Sequence, residues 1–146
     1  MTSCDTNVLF AATVPGDVHH AVAVKFVEAH AEDEDFVLAQ QTLVELYGLL
    51  RNPILHEHPL SAAEAVRAVD AYRRNPAWKI VDVPENPTVM TAVWFRASRR
   101  DFARRRIHDV RLAETLKYHG VRTFYTRNLK DFRDCGFTKL LNPFDE

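Results

Sequence analysis

Residues 36–51, FVLAQQTLVELYGLLR, decide the fold of this chain. The first four, Phe36 to Ala39, form a continuous apolar run, as a parallel strand buried on both faces presents. From about Gln41 to Arg51 the pattern becomes helical. Leu43, Leu46, Tyr47 and Leu50 make one face, Val44 and Leu49 widen it, and Asn52-Pro53 stops it. A helix apolar nearly all round is a buried helix. Glu45, the only charged residue between Asp35 and Arg51, is therefore conspicuous. A carboxylate buried there is costly unless a cation or hydrogen-bond donors compensate it. The plainer alternative is that Glu45 faces water through the remaining polar gap, since Glu is a good helix former.

Outward from this unit, strand and helix signals alternate. Ser3 to Asp5 reads as a short strand, with a turn at Thr6-Asn7 and a short apolar helix from Val8. Asp17, after Pro15-Gly16, caps a helix to about Ala31 with Ala21, Val24 and Val27 near one stripe. Ser61 and Glu64 suit a capping box for a helix to about Arg74. Lys79 to Val83 reads as a strand, and Pro87 begins a long helix through about Arg105. Asp109 to His119 is a further helix ended by Gly120, followed by strands at Arg122–Thr126 and Thr138–Leu141. This alternation predicts an α/β layer with a mostly parallel sheet, whose sites lie beyond the carboxyl ends of the strands.

At 146 residues the chain is the size of one domain, residues 1–146. No apolar run approaches a membrane span, and no secretion signal is evident. Cys4 and Cys135 match neither CxxC nor a zinc pattern, so a reduced, cytoplasmic setting is expected. The net charge of −1 hides an asymmetry. Residues 1–95 carry six Lys/Arg against thirteen Asp/Glu, whereas residues 96–127 carry ten against three. Such a basic segment suits an anionic partner, or else a solvated helix face.

Asp5, Glu45, Asp109 and Asp131 are far apart in sequence and lie at element ends or on a buried helix. Each has a plain explanation: Asp5 and Asp131 suit turns, and Asp109 suits a helix N-terminus. Taken together, converging carboxylates repel one another and raise one another's pKa, a penalty that a bound Mg²⁺ or Mn²⁺ removes while acidifying a water. Mg²⁺ commonly takes one or two direct carboxylates. Direct ligation is assigned to Asp5 and Asp109, with Glu45 and Asp131 acting through water. A phosphotransfer role for Asp5 would call for a second Asp at position 7 and a well-placed Lys, but position 7 is Asn7.

In these residues the chain resembles the PIN domain, and most closely the VapC-type toxins of bacterial toxin–antitoxin pairs. The resemblance runs through Asp5-Thr6-Asn7-Val8-Leu9, Leu43-Val44-Glu45-Leu46, Asp109 with Leu112-Ala113, and Tyr125-Thr126-Arg127-Asn128 with Asp131-Phe132. It implies a three-layer α/β/α fold with about five parallel strands, and Mg²⁺-dependent endoribonuclease activity leaving 5′-phosphate and 3′-hydroxyl ends. It also implies inhibition by a cognate antitoxin and a homodimer. The family's carboxylates fall on Asp5, Glu45 and Asp109. The family often has Asp where this chain has Asn128, so Asp131 is expected to supply the fourth charge and one metal ion is favoured over two. Asn7, Thr126 and Asn128 are the expected water-positioning groups.

Arg96, Arg99 and Arg100 are expected to share a helix face, and Arg104 to Arg106 run towards Asp109. Arg99, Arg100, Arg106 and Arg127 are the expected contacts to RNA phosphate. The same surface is a candidate for docking an acidic antitoxin segment. His56-Glu57-His58 has no further ligand at useful spacing, and Trp78, Trp94 and the phenylalanines read as core or interface. The competing readings are a PIN-like scaffold that binds RNA or a partner without cutting, and a solitary RNA-processing nuclease.

Overall fold

The computed structural model describes residues 1–55 and 57–145, so His56 of the His-Glu-His alternation lies outside the described residues. Among these described residues five short strands form the centre: β1 (Thr2–Cys4), β2 (Val37–Ala39), β3 (Lys79–Val81), β4 (Thr123–Tyr125) and β5 (Lys139–Leu141). Every pairing is parallel, in the orders β1-β4-β5 and β2-β3. A single bridge between Thr2 and Phe36, beside a 2.9 Å bond from Thr2 N to Asp35 O, joins the two groups through β1 and β2. Cys4 lies opposite Tyr125, and Tyr125 opposite Leu141, which lines up the carboxyl ends along one edge.

Among the described residues seven helices cover this sheet: α1 (Thr6–Thr13), α2 (His20–Ala29), α3 (Gln40–Leu50), α4 (Ala62–Arg73), α5 (Thr88–Ala97), α6 (Ile107–Tyr118) and α7 (Leu129–Phe132). Alternation along the strands explains the layers. Neighbouring strand residues point to opposite faces. Phe36 and Leu38 join Cys4, Val8, Leu9, Leu43, Leu46 and Tyr72 in a core beneath α1, α3 and α4. Val37 and Ala39 join Phe124, Leu112, Leu116 and Phe132 in a second core beneath α6 and α7. β2 is apolar at every position because both of its faces are covered. The result is the expected three-layer α/β/α arrangement.

Several local expectations change. Thr6-Asn7 is not a turn: α1 begins at Thr6, directly after β1, because Asp5 is its N-cap and accepts from Thr6 N at 2.8 Å. α2 begins three residues after Asp17, whose side chain takes the amide of His19 and whose carbonyl takes that of His20, closing a turn. Ala23, not Ala21, is its buried alanine. α3 is one-sided and not buried all round, since Val44 is 70% exposed. The helix opened by Pro87 stops at Ala97, where the Ser98 hydroxyl bonds Phe95 O at 2.7 Å. A 3-10 turn at Arg104–Arg106 then leads into α6. Arg99 and Arg100 thus lie beyond the helix and share no face with Arg96. Trp78 is core, but Trp94 is 60% exposed. α7 arises where a polar turn was expected around Asp131.

Both halves of the capping box at α4 form, Glu64 N to Ser61 Oγ at 3.2 Å and Ser61 N to Glu64 Oε1 at 3.0 Å. Cys4 and Cys135 are buried free thiols. Among the described residues no helix is long and apolar enough to cross a membrane. Ser61→Ala removes a side-chain cap on an exposed helix end and is expected to cost about 1 kcal/mol of unfolding free energy. Urea denaturation reads this directly, and an unchanged midpoint would show that the cap does not stabilise α4.

Candidate active site

β1 ends one residue before Asp5, and the Asp5 amide continues the ladder to Tyr125 O at 2.8 Å. That placement leaves the Asp5 carboxylate at the carboxyl edge of the sheet, nearly buried. Three groups serve it. Oδ1 accepts from Thr6 N at 2.8 Å, while Oδ2 accepts from Thr126 Oγ1 at 2.8 Å and Asn7 Nδ2 at 3.3 Å. Thr126, just past β4, in turn accepts from Asn128 N at 3.0 Å and Asn7 Nδ2 at 3.4 Å. The Arg127 amide donates to Asn7 Oδ1 at 3.3 Å.

A second chain of bonds brings in α3. The Thr6 hydroxyl donates to Glu45 Oε2 at 2.9 Å, and Gln41 Nε2 donates to Glu45 Oε1 at 3.1 Å. The same amide nitrogen reaches His108 O at 2.9 Å, tying α3 to the start of α6. Glu45 is half-buried and held by two donors, so its unusual place in an apolar sequence has a structural cause. Thr6 and Gln41 escaped the sequence reading. Gln41 sits four residues before Glu45, one helical turn away, and Thr6 directly follows Asp5, so both spacings carried a signal.

Asp109 occupies the third position of α6 and is half-buried. Burial, then the neighbouring charges of Asp131 and Glu45, push its carboxyl up from 3.8 to about 6; Arg106 and His108 oppose the rise. Asp5 is also pushed up to about 6, mainly by burial, against the lowering by its Thr126 and Thr6 bonds, with smaller contributions from Asp109 and Glu45. Of the four acids proposed from sequence, Glu45 and Asp109 thus act on Asp5, and Glu45 and Asp131 act on Asp109, across one edge of the sheet. Asn128 contributes through its backbone amide, and no side-chain cap bond forms from it.

The arginines divide. Arg106 is not free to take phosphate: it is bidentate to Asp134, with Nη1–Oδ2 at 2.9 Å and Nη2–Oδ1 at 2.6 Å, and also reaches Asp131 O at 2.9 Å. Arg96 is likewise engaged, with Glu114 at 3.5 Å and Asp134 at 3.4 Å. Arg99 is exposed and lies over the Phe95 ring at 6.0 Å. Arg100 and Arg127 have exposed side chains.

Among the described residues no three His, Cys, Asp or Glu side chains close into a ready metal cage. The donor set nevertheless suits a hard divalent ion. All candidate ligands are oxygens, their mutual repulsion is only partly offset, and a hydrated Mg²⁺ needs one or two of them. Asp5 and Asp109 are the two acids most destabilised as anions and would hold it.

The layer order and the acidic carboxyl edge define the fold seen in the toxin chains of bacterial toxin–antitoxin pairs. The Mycobacterium tuberculosis toxin VapC20, whose structure is described as that of a sarcin–ricin loop cleaving toxin, superposes with a TM-score of 0.69 at 21% identity, covering 94% of this chain and 96% of that one. VapBC2 from Rickettsia felis, solved on a promoter DNA fragment, gives a TM-score of 0.66 at 16% identity over 97% of each chain. No protein-family model matches the chain. In sequence it is 41% identical over 143 residues to Ribonuclease VapC24 of Mycobacterium tuberculosis, covering 98% of this chain and 97% of that protein. The chain belongs to the VapC ribonuclease family.

Asp109 gives the cleanest pH test, because its carboxylate accepts no hydrogen bond among the described residues, whereas Asn at position 5 would lose an acceptor. Its folded pKa lies above the unfolded value. Its contribution to stability is therefore fully present below about pH 4 and is lost as pH rises through about 6. Asp109→Asn is expected to be more stable than the parent in metal-free buffer near neutral pH, by about 1–2 kcal/mol after allowance for partial exposure. The advantage should vanish towards about pH 4. Denaturation with a chelator present at both pH values checks this; an advantage confined to acid would contradict it.

Proposed function

We propose that this chain is a Mg²⁺-dependent endoribonuclease, with Mn²⁺ able to replace Mg²⁺, and that it is the toxin of a toxin–antitoxin pair. One observation carries the reading. Carboxylates from four separate segments lie near enough at the carboxyl edge of the sheet for their charges to bear on Asp5 and Asp109, and these two are pushed up to about 6. When bound, a divalent ion supplies charge neutralisation at the phosphate and an acidified water.

The chain's own groups do the rest. Asp5 is held in place by the Thr126 hydroxyl and the Thr6 amide. Glu45, fixed by Thr6 and Gln41, orients the attacking water and accepts its proton. Asp131, whose charge bears on Asp109, acts through water. The exposed Arg99, Arg100 and Arg127 contact backbone phosphates, giving salt-dependent affinity. A small cognate antitoxin covers the same basic surface with an acidic segment. The chain works as a homodimer in the cytoplasm.

Cleavage of a mixed-sequence RNA is expected to need added Mg²⁺ or Mn²⁺ and to stop with chelator. Asp5→Asn should lower the rate by more than about a hundredfold, beyond the cost of losing an outer partner. Thr126→Ala should cost about 10–100-fold. Metal-dependent cleavage undiminished by Asp5→Asn would sink the carboxylate assignment. Absence of any heat on titrating millimolar Mn²⁺ would favour a scaffold that only binds.

Arg99→Glu with Arg100→Glu is expected to weaken RNA binding and flatten its salt dependence, since the slope falls by about one for every phosphate that is no longer neutralised. Equal affinity and slope would show that these side chains are merely solvated.

A further inference from the structure

Asp131 stands on the weakest element near the site. α7 is only four residues long, and Asn128 gives it no side-chain cap. A single helical turn is not stable by itself, so its orientation is set from outside. Three ties hold it. Phe132 is buried against Phe124, with ring centroids 4.9 Å apart. Asn128 N bonds Thr126 Oγ1 at 3.0 Å. Arg106 Nη2 bonds the carbonyl of Asp131 itself at 2.9 Å.

The third tie joins α7 to the start of α6. Arg106 immediately precedes α6, whose third residue is Asp109. Its guanidinium crosses to the α7 side and grips Asp134 through two bonds, at 2.9 and 2.6 Å. Paired bonds of this kind fix geometry as well as contributing energy. Arg96 adds a second contact to Asp134 at 3.4 Å from α5. Arg106 Nε is buried without a hydrogen-bond partner among the described residues, so the bonds of this guanidinium run to the α7 side. Asp131 in turn lies close enough to Asp109 to be the leading charge that raises it.

We propose that Arg106 and Asp134 are a positioning pair that holds Asp131 against Asp109, a role separate from any contact with RNA. The inference deepens the metal-site reading and rests on it for its functional consequence. Neither residue touches substrate. They act by fixing the spacing of two carboxylates carried on different elements.

The test combines Mn²⁺ titration calorimetry with amide hydrogen exchange on the full chain. Asp134→Asn and Arg106→Ala are each expected to weaken Mn²⁺ binding about 10–100-fold, the usual cost of losing an outer partner. Arg106→Lys should restore only part of it, since Lys lacks the planar fork. In an Asp131→Asn background, Asp134→Asn should have little further effect, which a general loss of stability would not reproduce. Exchange at the α7 amides should quicken by about tenfold or more in Asp134→Asn, with α2 and α4 unchanged. Unchanged Mn²⁺ affinity in folded Asp134→Asn overturns the proposal, as does an equal loss with and without the Asp131 carboxylate. Loss of RNA affinity in Arg106→Ala but not in Asp134→Asn would instead make Arg106 a phosphate ligand. If the parent protein takes up no Mn²⁺, the metal reading fails, and α7 exchange alone decides: unaltered protection in Asp134→Asn refutes the pair.

Discussion

The structure depends on keeping one carboxylate, Asp5, charged while nearly buried at the end of the central strand. Burial alone disfavours the anion, and its hydrogen bonds hold the rise in check. Those bonds exist only in one register. Pairing Cys4 with Tyr125 brings the Thr126 hydroxyl to Asp5, across 121 residues of chain. A slip of one residue between β1 and β4 would turn Phe124 and Tyr125 to the wrong faces and remove that hydroxyl. From Asp5 the bonding continues through Thr6 to Glu45, and from Gln41 to the start of α6. Site geometry and sheet register are therefore one constraint.

The sequence made the acids legible for a physical reason. Only Glu45, in an apolar helix, stands where local pattern explains it poorly; Asp5 and Asp131 suit turns and Asp109 suits a helix entry, so these acids became legible as a set, through their order and spacing. The run Phe36 to Ala39 likewise announced a strand covered on both faces. What stayed hidden depends on contacts that periodicity does not encode. The end of α5 turns on the Ser98 hydroxyl taking the carbonyl of Phe95, against a run of arginines with good helix propensity. The outward facing of Val44 and Trp94 follows from where α4 and α6 dock. Thr6 and Gln41 were overlooked because polar neighbours of an acid look ordinary until the acid's surroundings are known.

The basic segment shows how composition overstates a surface. Its excess positive charge suggests a broad phosphate-binding face. Two of its arginines are turned inward instead: Arg96 to Glu114 and Asp134, Arg106 to Asp134 and the Asp131 carbonyl. The pairing is strong enough to hold the Asp134 carboxyl down at about 2. The charge left for an anionic partner includes the exposed Arg99, Arg100, Arg104, Arg105 and Arg127, the last of them next to Thr126. This division keeps guanidinium groups from neutralising the acids outright. Arg106 lowers Asp109 somewhat, yet burial and Asp131 still dominate.

Asn128 makes sense in the same terms. Its work at the site is done by its amide on the Thr126 hydroxyl, a bond any residue but proline could make. Its side chain faces solvent, so an acid there would not automatically be directed at Asp5 or Asp109. The charge that does bear on Asp109 comes from Asp131, three residues further on and across the short turn of α7. Moving the fourth carboxylate from the strand end to a one-turn helix exchanges attachment to the sheet for attachment to its neighbours. An acid fixed by the sheet would keep its place through the ladder alone. Asp131 keeps its place only while Phe132 stays packed and the Asp134 turn stays tied to α6, which is why an ion pair outside the cluster bears on the charge balance within it.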